Sequence, residues 1–184
     1  PRQSIRTADL LAMRDGLKWS EVYSVDAPSD VVAMLFGEGR DDVAGFAEKS
    51  PAEAPPNSRY AYSSGTSNIL SAIASHALAP ETRIDEFLQS RLLDPIGMSS
   101  ARATIDEAGT WVASTFVYAT ALDFARFGLL YLRDGVWRGE RILPEGWVDH
   151  ARTPLSRDEA NGHLYGTHWW VTEDPYGSFW ANGH

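Results

Sequence analysis

The sequence contains no cysteine and only two lysines, Lys18 and Lys49, and each scarcity removes a class of chemistry. Without cysteine there are no disulfides and no thiolate metal sites, and the redox compartment stays open. Sixteen basic residues against 25 acidic ones leave a formal charge of −9, which argues against nucleic-acid binding, a task that needs clustered Lys and Arg. No apolar run reaches the ~18 residues needed to span a bilayer, and no charged-then-apolar segment resembles a secretory signal. There is no Gly-x-Ser-x-Gly elbow and no phosphate-cradling glycine pattern. Nor is there a Ser-x-x-Lys pair, because Asp15 and Phe46 stand three residues ahead of the two lysines.

What remains is a chain of 184 residues, 43% hydrophobic, long enough to bury a core and short enough for one domain. Seven Trp, seven Tyr and seven Phe supply large side chains for that core or for a substrate wall. Hydrophobic spacing and cap residues predict helices over Thr7 to Arg14, after Ser29 up to Gly37, and from Asp41-Asp42 to Glu48. Further helices are expected over Thr66 to Leu78, with Ile69, Leu70, Ile73, Ala74, Ala77 and Leu78 as the apolar face, and over Ile84 to Leu93, stopped at Asp94-Pro95. Thr120 to Arg133 follows, with Asp123 read as a structural residue suited to the helix dipole. A last short helix is expected over Glu145 to Ala151, with Pro144 at its first position. Ala52 to Ser58 is a proline-broken connector. Only the tail changes character: Tyr165 to Thr172 and Ser178 to Ala181 are aromatic and β-branched, a hairpin around Asp174-Pro175-Tyr176-Gly177. The expected division is a helical region at 1–164 and the start of an antiparallel sheet at 165–184. Two strands alone are marginal, so further sheet partners are expected on the C-terminal side.

The most informative stretch is Tyr62-Ser63-Ser64, which enters the Thr66 helix from an extended piece. A phenol and two hydroxyls at a helix N-terminus sit where unpaired N–H groups favour developing negative charge. That arrangement suits a tyrosine base serving a serine nucleophile, provided a neighbouring cation lowers the phenol pKa; within the chain only Arg59 is placed to turn inward and supply one.

These residues belong to a succession of motifs. Ile5 to Leu17 resembles the helix-then-Gly-Leu element that follows the nucleophile in the serine β-lactamase-like hydrolases, the class C β-lactamase, D-alanyl-D-alanine peptidase and esterase group. Trp19-Ser20-Glu21-Val22-Tyr23 is similar to the 6-aminohexanoate-dimer hydrolase branch of that group. Tyr62-Ser63-Ser64 lies where the group has Tyr-x-Asn, Leu93 to Met98 resembles Pro-Leu-Gly-Met, and Thr120 to Gly128 its Thr-x-x-Asp helix start. Asn182-Gly183-His184 stands where the third motif begins. The resemblance implies a β-lactamase/transpeptidase-like α/β fold, of which this chain holds mostly the helical domain and a short C-terminal hairpin. It implies a serine hydrolase of small amide or ester substrates working through an acyl-enzyme, with no cofactor and no metal. Tyr62 and Ser64 are the implied catalytic residues, and Tyr118, Trp169, Trp170 and His184 line the substrate site. Ser63 occupies the variable middle position, and Glu21 is placed to steer an amine-bearing substrate. The nucleophile and its lysine are expected on sequence outside this chain, which by itself is expected to be inactive. The competing reading is a non-catalytic ligand-binding or scaffolding module that retains the fold. His163 and His168 form no metal-binding helix motif, and His76 and His150 read as surface or cap residues.

Overall fold

The computed structural model describes residues 2–24 and 26–182. Helix starts follow local side-chain chemistry. α1 (Thr7–Leu11) begins after Arg6, whose backbone N–H and guanidinium both meet Asp9, and it ends short of Arg14, with Met13 at φ 55°. α2 (Asp30–Phe36) is capped by the Ser29 hydroxyl, which accepts the Val32 N–H, and closes at Gly37. α3 (Val43–Glu48) is capped by Asp42 through the Gly45 N–H. Together with α4 (Ser64–His76) these helices enclose a core of Leu10, Leu17, Val31, Met34, Leu35, Val43, Ala47, Ile69 and Val112.

The next helical run passes the expected stop at Asp94-Pro95. α5 (Ile84–Leu88) opens into a π-type turn over Gln89–Leu93 and continues as α6 (Asp94–Ile96). A wide turn, in which the Asp94 N–H reaches back to the Gln89 carbonyl, gives room to Pro95, which has no N–H and whose ring crowds the preceding turn. Gly97, at φ 76°, ends the run instead. β1 (Arg102–Ala103) then pairs with β2 (Val117–Tyr118). α7 (Ala121–Leu132) is capped by Thr120 and packs a second core of Ile96, Met98, Ala101, Leu130 and Trp137. β3 (Val136–Trp137) and β4 (Glu140–Arg141) form a tight hairpin through Arg138 and Gly139, both at positive φ. α8 (Trp147–Arg152) starts two residues later than the proline suggested, after Gly146 at φ 75°, because Pro144 lends its carbonyl to a preceding turn.

The tail is a four-stranded antiparallel sheet, β5 (Ser156–Arg157), β6 (Leu164–Tyr165), β7 (Trp170–Val171) and β8 (Phe179–Trp180), in sequential order. The expected hairpin is its β7–β8 pair, with Trp170 opposite Trp180. The expected strand from Tyr165 to Thr172 is broken: the chain reverses at Gly166 to Trp169, with His168 at φ 60°. Gly166 presses against the Ala151 carbonyl, where a Cβ would lie 2.2 Å from the oxygen.

The structure follows the expected apolar face of α4 only in part: Ile69 and Leu70 meet the core, but Ile73, Ala74 and Ala77 do not. Its buried residues are Ser64, Gly65, Thr66, Ser67, Asn68, Ile69, Ser71 and Ala72, whereas Ile73 is 40% exposed and Ala74 and Ala77 face solvent. Buried polar groups persist only when hydrogen-bonded, and here distant loops bring the partners. Thr66 donates to Asp15 (2.5 Å), Ser67 bonds His168 (3.1 Å) and the Asn68 amide donates to Ser114 (3.1 Å). Gly65 leaves space for the Trp19 ring, which also lies edge-on to Phe46.

Two predictions follow from this packing. A Cβ on Gly65 would lie 2.6 Å from the Trp19 ring. Removing a helical glycine gains about 1 kcal/mol, overpacking costs about 1–3 kcal/mol, and the displaced Trp19 loses its bond to Glu21. Gly65→Ala is therefore expected to lower stability by about 2 kcal/mol net, measured as a lower urea midpoint; a raised midpoint would show that the ring is free to move aside. Asp123 accepts from the Ser100 hydroxyl (2.5 Å) and backbone N–H (2.9 Å) and pairs with Arg126. These bonds, led by the Ser100 hydroxyl, hold its pKa below the usual aspartate value. A depressed native pKa gives stability that is whole above the unfolded value, about 3.9, and lost as pH falls through the lower native one. Asp123→Asn should flatten the dependence of unfolding free energy on pH in that acid window and leave its shape near neutrality unchanged, as read by urea titrations from pH 2 to 7.

Candidate active site

Trp19, Glu21 and Tyr23 stand at spacing two, and their side chains converge on the first turn of α4. The Glu21 carboxylate accepts the Trp19 indole N–H (2.5 Å), the Tyr23 hydroxyl (2.9 Å), and both the backbone N–H (2.9 Å) and hydroxyl (2.5 Å) of Ser64. Ser64 is the first residue of the helix, and Ser63 is the cap, accepting the Thr66 N–H at 3.0 Å. The two hydroxyls thus divide the work: the middle residue satisfies the helix end and the third residue holds the carboxylate. Glu21 completes the turn with a negative charge where the helix dipole favours one.

Tyr62, just before this turn, is stacked on Trp170 (5.9 Å between centroids, 17° between planes) and lies edge-on to Tyr165 (6.1 Å). It opens into a cavity of about 570 Å³ walled by Glu21, Tyr23, Phe36, Phe116 and Trp170, with Ser114 and Asn182 among its polar groups. Among the described residues the Tyr62 hydroxyl has no hydrogen-bond partner, so it is available to a ligand. Burial, and after it the Glu21 charge, raise the Tyr62 phenol above its ordinary pKa. Tyr23 is pushed up to about 12, mainly by burial. Among the described residues no cation opposes these effects. Arg59 pairs with Glu53 at 2.6 Å rather than turning inward, and both lysines line a different cavity with Asp30, Glu38 and Phe46.

The remaining sequence expectations divide. Trp170 is in the cavity wall, but its neighbour Trp169 is not: it packs against Phe127, Tyr131 and Phe179 on the α7 side. Adjacent side chains leave a strand on opposite faces, so only one of the pair can reach the cleft. Tyr118 is 62% exposed and stacks on Phe116, backing a wall residue from outside. Gly183 and His184 lie outside the described residues. Ser64 is buried and bound to Glu21 rather than presented to the cavity. His168 is a joint between the sheet and the helices, with Nδ1 on the Leu11 carbonyl (3.1 Å) and Nε2 on the Ser67 hydroxyl (3.1 Å). Donation from Nδ1 leaves Nε2 as an acceptor, and burial lowers the ring's pKa, consistent with a neutral imidazole. Among the described residues no group of three His, Cys, Asp or Glu is arranged to hold a metal ion. Sequence reasoning missed Glu21 as the organiser of the turn; its alternation with Trp19 and Tyr23 was the available signal.

Comparison with known proteins bears on the family and the fold. The Beta-lactamase family model matches residues 1–184. Over 87 residues the chain is 31% identical to the 6-aminohexanoate-dimer hydrolase of Paenarthrobacter ureafaciens, a match covering 42% of this chain and 22% of that protein. Its fold is similar to that of a Bacillus anthracis protein provisionally assigned as a 6-aminohexanoate-dimer hydrolase (TM-score 0.79, 22% identity), covering 96% of this chain and 49% of the other. A penicillin-binding protein from Bacillus halodurans is also similar (TM-score 0.66, 17% identity), over 97% of this chain and 61% of the other. The chain thus spans only part of the length of each relative. Matched by the family model from its first residue to its last, and folded as these proteins are, the chain belongs to the Beta-lactamase family.

Proposed function

We propose that this chain forms the tyrosine side of the active site of a serine hydrolase that cleaves amide or ester bonds through an acyl-enzyme. The observation that carries the reading is Tyr62: an unbonded phenol at a helix N-terminus, facing an aromatic-walled cleft, in a chain of this family. The identity shared with a 6-aminohexanoate-dimer hydrolase favours linear amides and esters over β-lactams as substrates.

In this mechanism a serine of a Ser-x-x-Lys pair, on sequence beyond these residues, attacks the substrate carbonyl. Its proton passes through Tyr62 and the lysine to the leaving nitrogen or oxygen as the carbonyl–leaving-group bond breaks. A water then gives up a proton by the same route, attacks the acyl carbon and releases the acid, and the serine regains its hydrogen. The raised Tyr62 pKa gives the lysine a defined role. Burial and Glu21 keep the phenol protonated, and a nearby ammonium is the group that can bring it within range of proton transfer. We do not assign Ser64 as the nucleophile, because its hydroxyl is buried away from the cavity wall and donates to a carboxylate shared with three other donors. Its role is to hold the turn.

A fluorophosphonate probe tests the reading. A longer protein carrying Ser-x-x-Lys ahead of these residues should be acylated, and Tyr62→Phe should slow labelling by about 100-fold or more. The 184-residue chain alone should keep its unmodified mass. Equal labelling rates for Tyr62→Phe and wild type would remove Tyr62 from the mechanism. A longer protein that binds small amides yet never labels would favour the non-catalytic module.

A further inference from the structure

Outside the proton chemistry, the Glu21 carboxylate is the most constrained group in the cleft, and its oxygens are sorted by partner. Oε2 faces the two partners that can only donate, the Trp19 indole N–H and the Ser64 backbone N–H. Oε1 faces the two that can donate or accept, the Ser64 and Tyr23 hydroxyls. An ionised carboxylate offers about four acceptor sites and no donor, so four partners fill it and its charge turns both hydroxyls inward as donors. So filled, it is bound within the protein on all sides, and the amine-steering role expected from the sequence would act through its charge at the cavity wall rather than through a free acceptor site.

We propose that Glu21 is the positioning residue of this cleft: it ties the Trp19–Tyr23 segment to the first turn of α4, and its charge sets the direction in which the Tyr23 and Ser64 hydroxyls donate. The consequence for catalysis rests on the hydrolase reading; the tie and the charge effect do not. Tyr62 directly precedes the turn that Glu21 fixes, so the phenol's place in the cleft follows from the same bonds. The charge also reaches the phenols, raising Tyr62 and Tyr23 after burial has done so. The other titratable groups about Tyr62 are the Tyr60 and Tyr165 phenols, with Asp158 acting on Tyr60 and His163 edge-on to Trp170. All of these are retained when Glu21 alone is changed.

The sorting of partners makes a decisive pair of variants available. In Glu21→Gln the amide oxygen can take both N–H donors, while the amide nitrogen donates to the two hydroxyls, which reverse. The ties survive and the charge is gone. In Glu21→Ala both are lost. The experiment uses this chain with ¹³Cζ-labelled tyrosine, the Tyr62 resonance assigned through Tyr62→Phe, together with hydrogen exchange at the Trp19 indole N–H. Glu21→Gln should keep indole exchange within about threefold of wild type and move the Tyr62 and Tyr23 titrations to lower pH. Glu21→Ala should speed indole exchange about tenfold or more, as expected for loss of a bond to a charged acceptor. Phenol titrations unmoved in Glu21→Gln, or indole exchange unchanged in Glu21→Ala, would overturn the proposal. In a longer protein with the nucleophile, Glu21→Gln should shift the acylation pH profile towards acid. If the longer protein never labels while Glu21→Gln still moves the titrations, the hydrolase reading fails and the positioning role stands.

Discussion

The structure depends on a helix that is polar where it is buried. The first two turns of α4 carry Ser64, Thr66, Ser67 and Asn68 inside the protein, and each hydrogen-bonds a residue from a different part of the chain: Glu21, Asp15, His168 and Ser114. Leaving one such group unpaired costs about 1–3 kcal/mol, so each pairing fixes a loop that apolar contact alone would leave free to slide. Hydrophobic burial is non-directional; these bonds have direction. The pairing is incomplete, since the Asn68 side-chain oxygen and the Ser71 hydroxyl are buried without partners.

The same constraint sets the electrostatic character of the cleft. A helix N-terminus accommodates negative charge, and Glu21 supplies it while two phenols, Tyr23 and Tyr62, line the space in front. Burial and that charge act in one direction on both rings, and neither of the chain's lysines is in the wall. Among the described residues none brings a cation to these phenols. On the proposed reading that charge belongs to the lysine of the Ser-x-x-Lys pair.

Much of the framework was legible in the sequence because it is written in local chemistry. Ser29, Asp42 and Thr120 cap the helices they precede, and Gly37 closes the helix before it, as their positions indicate. Tyr62 was legible too, since an extended segment entering a helix places its last residues at the helix mouth. The polarity of α4 was legible only in part. Periodicity weighs apolar residues, and Ile73 and Ala77 outvoted the serines, whose burial is decided by loops up to about a hundred residues away, as with Ser67 and His168. Trp169 and Trp170 show a different limit. Alternation says that one of the two faces the cleft, but the turn at Gly166, fixed by contact with the Ala151 carbonyl, decides which one. Pro95 misled for a third reason, because a proline ends a helix only where the preceding turn has ordinary width.

Tyr62 owes its position to two separate attachments. On one side, its backbone leads into the turn that Glu21 and Ser63 organise; on the other, its ring lies on Trp170 and against Tyr165, which belong to adjacent strands. The sheet and the helix are joined close by through His168, whose left-handed backbone aims one ring nitrogen at Leu11 and the other at Ser67. A ring held only by the helix could swing about its side-chain bonds, and a ring held only by the sheet would lose its relation to the helix N-terminus. Stacking sets the plane of the phenol and the turn sets its origin. The ring faces the open cleft, and two of the residues around it, Glu21 and Trp170, are not ones that a search for a nucleophile would select.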